Sequence, residues 1–125
     1  MKYIQTENAP KAVGPYSQAI VSNGFIFCSG QIGLDPKTNE LVQGIEKQTH
    51  QVLKNLTEVL NVENSGLEKV VKTTVYLSDI NDYVKMNEVY GQYFLNHKPA
   101  RAAFAVAALP KGALIEIEVI AEVIK

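Results

Sequence analysis

This chain contains a single arginine, Arg101, although it carries eleven lysines. A lysine is a hydrated point charge, whereas an arginine is a rigid planar fork that can hold a carboxylate or phosphate through two parallel hydrogen bonds. A protein that uses lysine for nearly all of its positive charge either needs that fork at one place or uses it in a structural ion pair. Composition alone leaves both interpretations open.

Cysteine and histidine are also scarce. The one cysteine, Cys28, cannot form an internal disulfide, which fits a reducing cytoplasm. His50 and His97 do not stand at a recognisable ligand spacing, so we expect no metal site. The first seven residues lack the apolar segment of a signal peptide, and no run approaches the ~18–20 apolar residues of a membrane span. We therefore expect a cytoplasmic protein without a membrane segment.

Charge and length narrow the class of protein further. Twelve basic and thirteen acidic residues give a net charge of −1, and no basic stripe stands out. A nucleic-acid partner is therefore not expected. The chain has 125 residues, of which 46% are hydrophobic, so we expect one domain, residues 1–125, with a hydrophobic core.

The pattern of apolar residues predicts an α+β fold. Asn23-Gly24 is typical of a hairpin turn, because both central residues of a type I′ turn need positive φ. Strands are predicted over 17–22, 25–29, 70–77, 101–108 and 114–124, with a short extended piece at 41–42. Helices are predicted over 44–62 and about 80–95, the second capped by Asp79. The order ββ(β)αβαββ indicates two helices on one face of a mixed sheet.

The last strand has two unlike faces. One is wholly apolar, which predicts that it packs on the helices: Ile115, Ile117, Val119, Ala121 and Val123. The other mixes Glu116, Glu118 and Glu122 with apolar residues, which is not the clean alternation of a sheet that faces water. Contact with another copy of the chain is favoured over a solvated face. A partly enclosed Glu116 could then act as an acid or base, although three glutamates can also serve only to prevent aggregation.

Other segments have both structural and functional interpretations. The predicted apolar stripe of the second helix consists of Ile80, Tyr83, Val84, Asn87, Tyr90 and Phe94. Asn87 interrupts it, so its amide would hold either a loop or a ligand. Gly30, between Ser29 and Gln31, would either let the backbone approach an anion or form an ordinary bend. Tyr16 would be a pocket wall or part of the core. Cys28 lies within a predicted strand and is expected to be a small hydrophobe rather than an activated nucleophile.

Several stretches together resemble the RidA/YjgF family, whose members are reactive enamine/imine intermediate deaminases. The resemblance covers nearly the whole chain, with the motifs in the family's order: Gly14-Pro15-Tyr16-Ser17, Ser29-Gly30-Gln31-Ile32, Val71 to Tyr76, Asn87-Glu88-Val89-Tyr90, Pro99-Ala100-Arg101, and Leu109-Pro110-Lys111 to Glu118. It implies a chorismate-mutase-like fold with a six-stranded sheet. It also implies a homotrimer with clefts between subunits.

The resemblance implies hydrolysis of 2-imino acids, such as 2-iminobutanoate and 2-iminopropanoate, to 2-oxo acids and ammonia without a cofactor. Arg101 would clamp the substrate carboxylate, helped by the backbone amides of Gly30 and Ala103. Glu116 would orient or activate the attacking water. Tyr16, Ser29 and Asn87 would complete the cleft. A positioned carboxylate and one acid/base group suffice for an already activated C=N bond.

Two observations restrict this interpretation. If the last two strands formed a hairpin about Lys111, Arg101 would lie about 16 Å from Glu116, so a joint site needs another strand order or a second subunit. The chain also departs from a common family pattern after Arg101, where Ala103 replaces a cysteine and Ala105 and Ala108 replace a glutamate and an arginine. A non-catalytic protein that binds small acids or a regulatory partner therefore remains an alternative. Chorismate mutase activity would require more cations than this single arginine, and ribonuclease activity would require a basic groove. Neither activity is therefore favoured.

Overall fold

The structure is a computed structural model that describes residues 1–123. Its six strands form one mixed sheet in the order β1-β2-β3-β6-β4-β5. The strands are β1 (Lys2–Ile4), β2 (Ala19–Ser22), β3 (Phe25–Ile32), β4 (Val70–Leu77), β5 (Ala100–Ala105) and β6 (Ile115–Glu122). The helices are α1 (Ile45–Asn61) and α2 (Tyr83–Tyr93). The predicted α+β fold, a six-stranded mixed sheet with two helices, is confirmed.

The hairpin between β2 and β3 follows directly from the local sequence. Asn23 and Gly24 both have positive φ, 52° and 84°, as a type I′ turn requires. The two strands then pair in antiparallel register, with Ser22 opposite Phe25 and Ala19 opposite Cys28. This predicted turn is confirmed.

The core lies between one face of the sheet and the helices. The fully buried apolar side chains of α1 are Val52, Leu53, Leu56, Val59 and Leu60, which follow the 3.6-residue helical period. They face the apolar side of β6, where Ile115, Ile117, Val119 and Ala121 are buried as predicted. The sheet therefore has a covered face under the helices and an open face on the other side.

The sequence-based prediction of a third strand in the N-terminal part is wrong in its position. Residues 41–42 form only an isolated bridge between Leu41 and Leu34, and the additional strand is β1, which pairs with β2. The segment at 41–42 is too short to form a strand of its own. At the other end of the chain, the predicted last strand includes Ile124, which lies outside the described residues.

The predicted buried stripe of the second helix is correct at Tyr90 and Phe94 and wrong at Ile80, Val84 and Asn87, which are exposed. Residues 80–82 form a 3-10 turn, and Asp79 caps this turn by accepting a hydrogen bond from the backbone N–H of Asn81. The buried residues of α2 are Met86, Val89 and Tyr90, while Asn87 lies on the exposed side. A 3-10 turn has fewer residues per turn than an α-helix, so a single 3.6-residue stripe through both misplaces the buried face.

In residues 1–123, no helix combines the length and the apolar character needed to cross a membrane.

Candidate functional site

Arg101 is held by three side chains of α2. Its Nη1 donates to Asn87 Oδ1 at 2.8 Å, and its Nη2 donates to the hydroxyl oxygen of Tyr83 at 2.7 Å. The guanidinium carbon also lies 4.8 Å from the ring centre of Tyr90, within cation–π distance. These three residues share one side of α2 because they are spaced four and three positions apart. Arg101 is therefore oriented by its neighbours in the described chain.

The β-sheet brings Arg101 to this helix. β5 pairs in parallel with β4, and Arg101 stands opposite Thr73, whose side chain is fully buried. The hydroxyls of Thr73 and Tyr90 lie 2.8 Å apart, which ties α2 to β4 directly beside Arg101. The cavity lined by Asn87, Tyr90, Lys98 and Arg101 measures about 260 Å³.

Glu116 lies in a second cavity of about 760 Å³, and the sequence-predicted residues Tyr16, Ser29 and Gly30 line it as well. The sheet is irregular here, because the register of β3 with β6 shifts between Cys28 and Gln31. A Cβ atom on Gly30 would lie within 2.8 Å of Glu116 Cδ, so only glycine leaves room for the carboxylate in this position. Gly30 therefore provides the space that Glu116 occupies.

The walls of this second cavity are built locally. The Ser29 hydroxyl donates to the backbone oxygen of Ser17 at 2.5 Å, and the Ser29 N–H donates to that of Gln18 at 2.9 Å. These bonds attach the loop that carries Tyr16 to β3. Tyr16 is 54% exposed, so of the two predicted roles the structure shows the pocket wall and not the core.

The acid–base properties of the cavity centre on Glu116. Burial raises its pKa above the ordinary value for glutamate, and the negative charge of Glu118 raises it further. Tyr76, which pairs with Glu116 across the strands, donates from its hydroxyl to Glu118 Oε1 at 2.6 Å. This bond to Glu118 is the main reason why the pKa of Tyr76 rises to about 12. The site thus holds a carboxyl group that can exchange a proton closer to neutral pH.

The structure does not bring Arg101 and Glu116 together within one chain. The two last strands do not form a hairpin, because β4 lies between β5 and β6. Arg101 is in register with buried Thr73 on the covered face, whereas Glu116 is opposite Tyr76 on the open face. The predicted residues therefore divide into an Arg101 half-site (Arg101 and Asn87) and a Glu116 half-site (Glu116, Tyr16, Ser29 and Gly30).

The remaining predicted residues have clear positions. Ala103 lies two residues after Arg101 on β5, opposite Val75, and packs against the core. Cys28 is buried, which raises its pKa to about 12, so the structure agrees with a small hydrophobe rather than an activated thiol. Across residues 1–123, no group of three or more His, Cys, Asp or Glu side chains is placed to hold a metal ion.

Sequence reasoning missed Tyr83 and Tyr90 as neighbours of Arg101. Both were counted in the apolar stripe of the second helix. The signal that could have identified them is their spacing from Asn87, since residues 83, 87 and 90 fall on one side of a helix.

Comparison with known proteins finds relatives over nearly the whole chain. The family model described as Endoribonuclease L-PSP matches residues 6–123. A RutC family protein of Pyrococcus horikoshii is 57% identical over 94% of both chains. The human 2-iminobutanoate/2-iminopropanoate deaminase is 51% identical over 96% of this chain and 88% of its own length.

A solved structure agrees with the fold as well. A Yersinia pestis protein of unknown function, assigned to the conserved Rid protein family, superposes with a TM-score of 0.95. It is 52% identical to this chain, and the match covers 98% of each. The chain therefore belongs to the RidA/YjgF family, the family whose model is described as Endoribonuclease L-PSP.

Proposed function

We propose that this protein hydrolyses reactive 2-imino acids, such as 2-iminobutanoate and 2-iminopropanoate, to 2-oxo acids and ammonia. The observation that carries the proposal is the pair of half-sites: an oriented arginine fork, and a carboxyl group whose pKa is raised by burial. A 51% identical human relative bears the name of this activity.

Arg101 would bind the substrate carboxylate. Each of its terminal nitrogens gives a hydrogen bond to α2 and keeps a further N–H group for a ligand. A planar fork with parallel N–H groups matches the two oxygens of a carboxylate. Because these groups are already oriented, substrate binding would lose little additional conformational freedom.

Glu116 would act on the attacking water. The ionised carboxylate takes a proton from the water as the water oxygen bonds to the imine carbon. The protonated Glu116 then passes this proton to the imine nitrogen, which regenerates the carboxylate and gives the carbinolamine. The C–N bond then breaks, the carbonyl forms as the hydroxyl proton leaves, and ammonia departs. A base whose pKa lies nearer the working pH is more effective in such a step than an ordinary glutamate.

The complete site would lie between two copies of the chain in a homotrimer. In one chain the Arg101 half-site and the Glu116 half-site lie on opposite faces of the sheet, so one substrate cannot contact both. The open face also exposes three phenylalanines, Phe25 at 38%, Phe27 at 45% and Phe104 at 46%. Covering these rings with another copy would remove apolar surface from water.

The substrate range follows from the side chains that accompany Arg101. Ala103, Ala105 and Ala108, where a common family pattern has a thiol, a carboxylate and a guanidinium, do not line the Arg101 cavity. Phe94 and Pro99 do line it, so this side of the cleft would be apolar. We expect small imines with an uncharged substituent to be accepted. Ribonuclease activity, which the description of the family model names, is not favoured by a net charge of −1.

The test generates 2-iminobutanoate from threonine with a dehydratase and traps the imine with semicarbazide. An active deaminase reduces the amount of trapped product in proportion to the protein added. Arg101→Ala should abolish this competition, while Lys98→Ala, which removes a cation near the same cavity, should reduce it much less. If wild-type protein at stoichiometric amounts leaves trapping unchanged, the non-catalytic alternative replaces the deaminase.

A further inference from the structure

The hydroxyl of Tyr83 makes a contact that the proposed reaction does not itself require. Its oxygen accepts a hydrogen bond from Arg101 Nη2 at 2.7 Å, and its ring centre lies 5.6 Å from the guanidinium carbon. Tyr83 is partly buried at the first turn of α2. The contact therefore joins the beginning of α2 to the beginning of β5.

Two acceptors on different nitrogens restrict the guanidinium more than one would. With Asn87 alone on Nη1, a turn of the group about the bond between Nε and Cζ must break one hydrogen bond. With Tyr83 on Nη2 as well, the same turn must break two hydrogen bonds donated by a charged group, and such bonds are among the stronger ones in proteins. The Tyr90 ring, attached to β4 through Thr73, limits movement out of the plane.

We propose that Tyr83 is a positioning residue that holds the guanidinium of Arg101 in the orientation that binds a carboxylate. The inference rests on the proposed function only for the identity of the ligand, a 2-oxo or 2-imino acid. The hydroxyl is the part of Tyr83 that matters, since a phenyl ring would keep the packing on Arg101 and lose the acceptor.

The single arginine makes this inference directly measurable. In ¹⁵N-labelled protein, all side-chain guanidinium signals belong to Arg101, so they need no assignment. A guanidinium held on both terminal nitrogens gives separate Nη1 and Nη2 signals, because turning about the Nε–Cζ bond is slow. We expect separate signals in the wild type and in Tyr93→Phe, and averaged signals in Tyr83→Phe.

Tyr93→Phe is a matched control. Tyr93 lies on the same helix, and its hydroxyl forms a hydrogen bond of similar length, 2.6 Å, with His50 Nδ1. The substitution removes this bond at a place away from Arg101. A general loosening of α2 would affect both variants alike. Signals that stay separate in Tyr83→Phe would overturn the inference, whatever the enzymatic rates are.

Ligand binding gives the second measurement. We expect Tyr83→Phe to bind 2-oxobutanoate about tenfold more weakly and to raise KM by a similar factor, with kcat changed by less than about twofold, because orientation of the carboxylate is used equally in the ground and transition states. In Arg101→Lys, which lacks the fork, adding Tyr83→Phe should have no further effect. Equal losses in both backgrounds would show that Tyr83 does not act through Arg101.

These measurements separate the two proposals. If 2-oxobutanoate binds and depends on Tyr83 but no imine is hydrolysed, the positioning role holds and the deaminase function fails. If Arg101→Lys is impaired while Tyr83→Phe resembles the wild type, the positioning role alone fails. If 2-oxobutanoate does not bind the wild type, the assignment of Arg101 as a carboxylate clamp fails, and the role of Tyr83 fails with it.

Discussion

A glycine and a glutamate on neighbouring strands determine the geometry of the Glu116 half-site. Gly30 lies where the register of β3 with β6 shifts, and Glu116 extends its carboxylate into the space that a side chain at residue 30 would occupy. The backbone at Gly30 does not have positive φ, so the requirement for glycine is space and not backbone conformation. Glycine is therefore used here to admit a functional group.

Gly30→Ala should impair catalysis without unfolding the protein. The added methyl group would overlap the end of the flexible Glu116 side chain, which can turn away at little energetic cost. We expect kcat/KM to fall by at least about tenfold, because misplacement of a catalytic group by about 1 Å already lowers the rate strongly. The free energy of unfolding should change by less than about 1 kcal/mol.

Gly91→Ala is the matched control for this prediction. Gly91 lies in α2, and a Cβ there would meet no atom within 4 Å. Because Gly91 also lines the Arg101 cavity, this variant is a control for stability alone, and alanine should stabilise the helix by up to about 1 kcal/mol. Denaturant unfolding of both variants and the imine-trapping rate of Gly30→Ala provide the measurement. Full activity in Gly30→Ala would mean that the position of Glu116 does not matter for the reaction.

The charge of Glu118 should shift the pH range of the proposed deaminase activity. A base must be ionised, so activity falls as the pH drops through the pKa of Glu116. Burial raises this pKa first, and Glu118 adds to the increase. Glu118→Gln removes the added negative charge and keeps an oxygen for the Tyr76 hydroxyl. The pKa of Glu116 should then decrease, and the acid limb of kcat/KM should move to lower pH.

Glu122→Gln tests whether this effect is local. Glu122 lies on the same strand and on the same open face, but opposite Phe25 and away from Glu116. Its substitution should leave the acid limb where it is in the wild type. An acid limb that stays in place in Glu118→Gln, or moves to higher pH, would contradict the assignment of Glu116 as the base.

At the scale of single elements, the local sequence predicts some features and not others. The β2–β3 hairpin and α1 could be predicted because Asn23-Gly24 and a 3.6-residue stripe determine them locally. The orientation of α2 could not, because the 3-10 turn before it changes the phase of the helix. The side of α2 that carries Tyr83, Asn87 and Tyr90 holds Arg101, a contact that depends on where β5 lies.

The difference between the predicted and the observed buried side of α2 can be tested with two substitutions. Met86 is fully buried, whereas Val84, which the sequence placed in the apolar stripe, is 66% exposed. Met86→Ala should destabilise the fold by about 2–5 kcal/mol, and Val84→Ala should change it by no more than about 0.5 kcal/mol. Urea unfolding of both variants gives the comparison. Similar losses in the two would restore the sequence-based orientation of the helix.

The sequence predicts which residues belong to the site more completely than it predicts how they are arranged. The motifs around Gly30, Arg101 and Glu116 indicate the family, and the structure places Tyr16, Ser29 and Gly30 around one cavity with Glu116. The separation of Arg101 from this group depends on the insertion of β4 between β5 and β6. Strand order is a property of the whole sheet, and the spacing of residues along the chain does not determine it.

At the scale of the whole molecule, the open face of the sheet and the divided site have one common explanation. The exposed phenylalanines of β3 and β5 lie on the same face as Glu116, so a second chain covering them would approach the Glu116 half-site. A trimer would then complete three sites while it buries three apolar faces. Sedimentation should give a mass about three times the 13.8 kDa of the chain.

Mixed oligomers provide the sharpest test of this arrangement. Arg101→Ala and Glu116→Ala should each be inactive alone, because every site lacks one of its two groups. Chains of both variants, unfolded together and refolded in equal amounts, should recover about a quarter of wild-type activity, since at random one site in about four receives an intact group from each neighbouring copy. The same variants refolded separately and then mixed control for subunit exchange. If a site lies within one chain, every site in the mixture lacks a group and no activity returns, so the amount recovered measures directly how many chains build one site.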